Sequence, residues 1–182
     1  MFHYVLFILV LQSVSSLPLN DDNKLLSLIL KEDYTDNGYT VVDPKTTISI
    51  MNEDLIWFDP LVLNGYDVQP LIRQLIEKNR ESISLTIESN PSKGYIIDKE
   101  KKFLKYFTEN GGGWNKLYEE NPKVHGLTSV SLPVYDKQAN LVLVYKSFSQ
   151  NFLAGEGNLI IYSFDDSNGE LSELSRRMIW VS

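Results

Sequence analysis

Histidine is the side chain best suited to proton transfer near neutral pH, and this sequence has only two histidines. His3 lies in an N-terminal segment that we expect to be removed, which leaves His125. Its candidate partner is Glu156, which lies between Gly155 and Gly157 in a long predicted loop. Together they would form the acid/base pair of a small hydrolase-like enzyme acting on a small or glycan-like substrate.

Other catalytic and metal chemistries have less support. Ser129 and Ser131 follow His125 on one predicted strand, where a serine does not readily meet its base, and the sequence has no G-x-S-x-G motif. Paired carboxylates of the glycosidase type are unspecific, because 24 acidic residues supply many chance pairs. With no cysteine and one remaining histidine, a transition-metal site has too few ligands. Residues 165–170 resemble a calcium loop, but Phe164 would occupy a ligand position, so we interpret them as a hairpin turn. We therefore predict no cofactor and no metal.

The segment from residue 146 to residue 158 is the main candidate for ligand binding. As a loop it would be long for a hairpin connection, and long loops are either functional or ordered by their own packing. Both an Ω-like structural loop and a ligand-contacting loop fit the sequence, with glycines that allow positive φ around Glu156. The candidate binding residues are Gln150, Asn151, Gly155, Glu156 and Gly157.

Three glycines at 111–113 precede Trp114 and suggest a second possible site. Free N–H groups at a helix N-terminus bind anions, and Lys105 and Lys116 are near in sequence. The alternative is a flexible joint between two helices, which we favour because glycines commonly interrupt helices.

The N-terminus has the pattern of a signal peptide. The apolar run from Tyr4 to Val10 is shorter than the roughly 20 residues that span a bilayer, and Val14 and Ser16 suit the −3 and −1 cleavage positions. A buried N-terminal helix or a retained membrane anchor is the alternative. We expect a signal peptide at 1–16, a single α+β domain at 17–182, and a secreted or periplasmic location.

Composition limits the classes of partner that the chain is expected to bind. The chain is 43% hydrophobic, which suits a real core, and its lack of cysteine excludes disulfides. Its formal net charge of −7 argues against binding nucleic acid, because phosphate backbones would be repelled. No later segment is apolar enough for a membrane span. The expected partner is an envelope protein or a small ligand.

Hydrophobic periodicity predicts helices in the first two thirds of the chain and strands in the last third. The helices are expected over 24–33, 68–79 with Asp67 as cap, 99–108 with Asp98 as cap, and from Trp114 to near Pro122. Short strands are expected within 40–51, over 82–88 and over 95–97.

The last third predicts an α+β fold with a C-terminal four-stranded antiparallel meander and helices packed from the N-terminal half. Its strands are expected over 127–134, 141–145, 159–164 and 171–181, with turns at 136–139 and 168–169. In such a meander His125, the 146–158 segment and the terminal Trp180 share one end of the sheet.

Residues 95–182 resemble an uncharacterised family of exported bacterial proteins. The motifs that carry the resemblance are a Trp/Tyr helix at Trp114–Tyr118, a strand with Gly126, Ser129 and Ser131 that is similar to the family's Gly-x-x-x-(Leu/Phe)-Ser pattern, a Leu-x-Gly-x-Gly loop at Leu153–Gly157 and a terminal Trp-x-Ser from Trp180. Some relatives carry a cysteine pair in that loop; this chain has Ala154 there, so no disulfide or metal role carries over. The resemblance implies the fold and export, and no activity. We expect a non-catalytic binding or envelope-maintenance protein, with the His125–Glu156 enzyme as the alternative.

Overall fold

The computed structural model describes residues 19–32, 34, 36–47, 62–63 and 66–182. The predicted signal peptide and residues 48–51 of the segment with predicted short strands lie outside the described residues. Three α-helices and nine strands are present in the described part of the chain. In chain order these are α1 (Leu19–Ile29), β1 (Tyr39–Val42), β2 (Val62–Leu63), β3 (Tyr66–Asp67), α2 (Gln69–Lys78), β4 (Tyr95–Ile97), α3 (Gly113–Glu120), β5 (Val124–Val130), β6 (Val134–Asp136), β7 (Leu141–Asn151), β8 (Ala154–Asp165) and β9 (Glu170–Val181).

The fold is α+β, and its main sheet is mixed. Strand order is β4-β1-β5-β7-β8-β9, and β6 pairs with one end of β7. The pairs β5–β7, β7–β8 and β8–β9 are antiparallel, whereas β1 runs parallel to both β4 and β5. The predicted C-terminal meander is therefore only part of the sheet: β5, β7, β8 and β9 are antiparallel, and distant segments of the chain extend the sheet with parallel strands.

The two faces of the sheet are covered by different helices. Successive side chains of a strand point to opposite faces. On the front face, α1 packs on Val142, Val144 and Ile160. On the back face, α2 packs on alternate residues of β7 and β8, such as Leu143 and Ile161. These central strands are buried on both faces, as their continuous apolar runs predict.

A third cluster closes the β1–β5 end of the sheet on its back face. Trp114 and Leu117 of α3 pack there with Val41 and Tyr106. Gly112 and Gly113 both have positive φ and begin α3, so the glycine run joins a 3₁₀ turn to a helix.

Several predicted elements differ in extent. α1 begins five residues earlier than predicted and α2 is close to the prediction. The predicted helix at 99–108 is only a 3₁₀ turn at Leu104–Phe107, although the Asp98 carboxylate does accept hydrogen bonds from the backbone N–H groups of residues 102–104. Residues 82–88 form a single bridge at Ser84 instead of a strand. The predicted strand at 127–134 is divided between β5 and β6.

The predicted loop at 146–158 is wrong. Residues 146–151 continue β7, residues 154–158 begin β8, and only Phe152 and Leu153 turn the chain. Gly155 and Gly157 have no positive φ and are part of the strand. The β8–β9 turn also differs, since four residues, Asp166–Gly169, connect the pair Asp165 and Glu170. Within the described residues, no helix has the length and apolar character needed to cross a bilayer.

Candidate functional site

The sequence-predicted residues lie at one end of the sheet. Thr128 of β5, Phe148 of β7, Glu156 of β8 and Val181 of β9 are successive cross-strand neighbours. His125 is at the start of β5, three residues before Thr128. His125, the β7–β8 turn and the end of β9 therefore share this end, as the meander predicts. His125 and Glu156 are two strands and three residues apart, which is roughly 14 Å between their backbones.

His125 is held in a stack of side chains. Its ring lies parallel to the ring of Tyr34, with 4.2 Å between centroids and 5° between planes. Its Nε2 atom lies 2.9 and 3.0 Å from the two carboxylate oxygens of Asp36. This hydrogen bond holds the pKa of the Asp36 carboxyl below its usual range, and the backbone N–H of Gly38 adds to the shift. His125 therefore supports Tyr34 and does not contact Glu156.

A groove lies where the front face of the sheet continues beyond α1. That helix ends at Ile29, whereas β7 extends to Asn151, so α1 leaves the far ends of β7 and β8 uncovered. The Lys146 ammonium donates to the Ile29 carbonyl at 3.3 Å and pairs with Glu32. Beyond this pair is a cavity of about 290 Å³, which we call the Asn158 groove; its walls include Glu32, Tyr34, Lys146, Phe148, Gln150, Glu156, Asn158 and Arg176.

Asn158 is the one buried polar residue of the described chain whose side chain lacks a hydrogen bond within it. Eight polar or charged residues there are buried, and the other seven are bonded through their side chains: Asp22, Thr40, Thr46, Asn79, Asp98, Thr128 and Ser131. Asn158 is only 3% exposed and lines the groove. No buried side-chain N or O atom among the described residues lacks a hydrogen-bond partner, so the unbonded amide atoms of Asn158 are open to the groove and its solvent. A ligand in the groove would replace water on this amide.

The charged groups of the groove are paired with one another. Glu32 pairs with Lys146, and Arg176 makes two hydrogen bonds to Glu173, at 3.0 and 2.8 Å. Arg176 also lies 3.7 Å from Glu156. The hydrogen bonds between Arg176 and Glu173 lower the pKa of Glu173 and raise that of Arg176.

Tyr34 stays neutral at physiological pH. Burial raises the pKa of its hydroxyl to about 12, and the negative charges of Glu32 and Asp36 add to this shift. The side chain therefore offers a neutral ring and a hydroxyl to the groove.

The remaining loop candidates have structural contacts. The Asn151 side chain accepts a hydrogen bond from the Leu153 N–H at 2.8 Å and shapes the hairpin turn. The Gln150 backbone carbonyl accepts one from the Tyr118 hydroxyl at 2.6 Å, while its side chain lines the groove. Gly155 and Gly157 lie under Trp180, where a Cβ atom would overlap or crowd the indole.

The described residues contain no group of three histidine, aspartate or glutamate side chains that is arranged to hold a metal ion. The glycines at 111–113 have a packing role as well, because the Lys116 side chain lies against Gly112.

Sequence reasoning identified Glu156 and Gln150, and it missed Tyr34, Lys146, Asn158 and Arg176. Asn158 immediately precedes the apolar run that begins at Leu159, and a polar residue at the edge of a buried strand is the one signal that pointed to it. Tyr34 lies outside any periodic segment, so its position depends on tertiary packing alone.

The chain matches no known protein family, no curated protein and no solved structure.

Proposed function

We propose that this protein is an exported, non-catalytic binding or envelope-maintenance protein whose ligand site is the Asn158 groove. The observation that carries the proposal is Asn158, a residue only 3% exposed whose carboxamide opens onto the groove and makes no hydrogen bond to another described residue. A binding site presents a few convergent polar groups in a concave surface, and Asn158 supplies the central one.

Export is the part of the proposal that rests on the sequence. The apolar run and small residues before Leu17 have the pattern of a cleaved signal peptide. The first described helix, α1, begins at Leu19, so cleavage after Ser16 would leave every described element intact. The resemblance over residues 95–182 agrees with export and adds no activity.

Binding has more support than catalysis by His125 and Glu156. General acid–base catalysis needs its groups within hydrogen-bond reach of the reacting atoms. The roughly 14 Å between the two backbones, and the engagement of His125 with Asp36, make a shared substrate contact difficult. The groove charges are also already paired, which suits recognition of a neutral ligand.

A fragment screen tests this proposal. Protein produced from the full coding sequence is titrated with small neutral compounds that carry hydroxyl or amide groups, and binding is followed by protein NMR. We expect some compounds to shift the NMR signals of the groove residues. Their affinity for the Asn158→Leu variant should be at least about tenfold lower than for the parent, because one hydrogen bond and its desolvation are lost.

The matched control is Asn115→Leu, which removes an exposed carboxamide of α3 that is not part of the groove walls. Hits that bind Asn158→Leu as well as the parent, or no hits at the groove, would contradict the proposal.

A further inference from the structure

We propose, on the basis of the function proposed above, that the ligand is a neutral oligosaccharide that crosses Tyr34, with neighbouring sugar rings on either side of it. The inference rests on two cavities that meet at Tyr34, on the support of the Tyr34 ring and on the kinds of polar group along the walls.

A second cavity adjoins the Asn158 groove. This cavity, of about 470 Å³, also has Glu32 and Tyr34 in its wall, and beyond them it is bordered by Asn37, Gly38, Pro91 and Ser92. Because both cavities have Glu32 and Tyr34 in their walls, they adjoin at these residues, with Tyr34 between them. A ligand that fills both is a chain of units, longer than a single small molecule.

Tyr34 is supported as a stacking platform. His125 covers one face of its ring, and Asp36 in turn fixes His125. A ligand ring therefore stacks on the opposite face or along the exposed edge. Aromatic rings pack well against apolar surfaces of comparable size, and the C–H face of a pyranose is such a surface. In this arrangement His125 is a positioning residue that acts through Tyr34.

The polar groups left for a ligand are uncharged. The carboxamides of Asn37, Gln150 and Asn158 make no hydrogen bond to another described residue, whereas Lys146 and Arg176 are paired with carboxylates. A carboxamide both donates and accepts, which matches neighbouring hydroxyls on a sugar without a counter-ion. An acidic ligand would have to break the existing ion pairs of the groove.

Binding of defined pentamers and their monomers, measured by calorimetry, tests the inference. The neutral probes are β-1,4-linked glucose, α-1,4-linked glucose, mannose and N-acetylglucosamine pentamers; the comparison probes are a galacturonic acid pentamer and an uncharged Ala/Ser pentapeptide. We expect one neutral pentamer to bind at least about tenfold more tightly than its monomer. Tyr34→Leu and Asn158→Leu should each lose about tenfold in affinity. The control Tyr135→Leu, which removes a half-buried ring of β6 that lines neither cavity, should not.

Replacement of His125 separates positioning from general destabilisation. His125→Phe keeps a ring against Tyr34 and should retain most of the affinity for the neutral pentamer, whereas His125→Ala should lose that affinity. The two variants should lose similar amounts of folding stability. Equal affinity of the two variants would overturn the positioning role.

The oligosaccharide inference is overturned if no neutral pentamer binds, if the acidic pentamer or the pentapeptide binds more tightly than every neutral pentamer, or if monomer and pentamer bind equally. If fragments still bind at Asn158 in any of these cases, the proposed binding function stands and only the ligand class fails. If neither fragments nor pentamers bind there, both fail.

Discussion

Trp180 donates its indole N–H to the hydroxyl of Tyr145 at 2.7 Å, and the two side chains meet over Gly157. Trp180 lies on β9 and Tyr145 on β7, so the contact crosses the intervening strand β8. It requires a residue without a side chain at position 157, because a Cβ atom there would overlap the indole nitrogen. The glycine that the sequence suggested for a binding loop therefore has a packing function.

Gly157→Ala should destabilise the protein by roughly 1–3 kcal/mol, since the added methyl group forces Trp180 and Tyr145 apart. Urea unfolding measures the effect. In a Trp180→Ala background the cost should shrink, because the main obstacle has been removed. An equal cost in both backgrounds would show that the indole is not the obstacle.

Trp114 and Trp180 should differ in their contributions to stability. Trp114 is 7% exposed and contacts Phe107, Tyr118 and Phe152, whereas Trp180 is 36% exposed on the edge strand β9. Trp114→Ala should cost about 3–5 kcal/mol, and Trp180→Ala less than half of that. Chemical unfolding of the two variants measures the free energy that each substitution costs. Equal costs would contradict the difference in burial between the two tryptophans.

The Asp36–His125 contact should make stability fall at acid pH. The hydrogen bond from His125 keeps the pKa of Asp36 lower in the folded state than in the unfolded chain. Its contribution is therefore present above the unfolded pKa of about 4 and is lost as the pH falls through the folded pKa. The melting temperature of the parent should exceed that of Asp36→Asn near pH 5, and the difference should shrink as the pH is lowered below the unfolded pKa of about 4. A difference that does not change with pH would contradict this assignment.

N-terminal sequencing of the exported protein should return Leu17 as the first residue, because Val14 and Ser16 suit a cleavage site. Recovery of an intact Met1 from the exported fraction would contradict the prediction of a signal peptide.

Periodicity predicted the elements whose buried residues repeat regularly. α2 buries Leu71, Ile72 and Leu75 at helical spacing, and the apolar runs at Leu141 and Leu159 mark central strands. Where β7 and β8 pass beyond α1 and α2, one face loses its cover and polar residues replace apolar ones. The same strands therefore looked like a loop between residues 146 and 158.

Contacts between distant segments could not be predicted from local pattern. The parallel pairing of β1 with β5 joins residues such as Val41 and Leu127, and no turn between them signals the register. The candidate site shows the same limit. Glu156 and Gln150 were identified because they lie near the predicted end of the sheet, whereas Tyr34 reaches the groove only through tertiary packing on His125.

The central claim is that the Asn158 groove is a ligand site, and a crystal structure of the protein soaked with neutral hydroxyl and amide fragments tests it most directly. We expect a fragment in the groove with a polar atom about 2.7–3.2 Å from the side-chain amide of Asn158. Fragments bound only elsewhere, or an Asn158 amide bonded to another protein group, would contradict the claim.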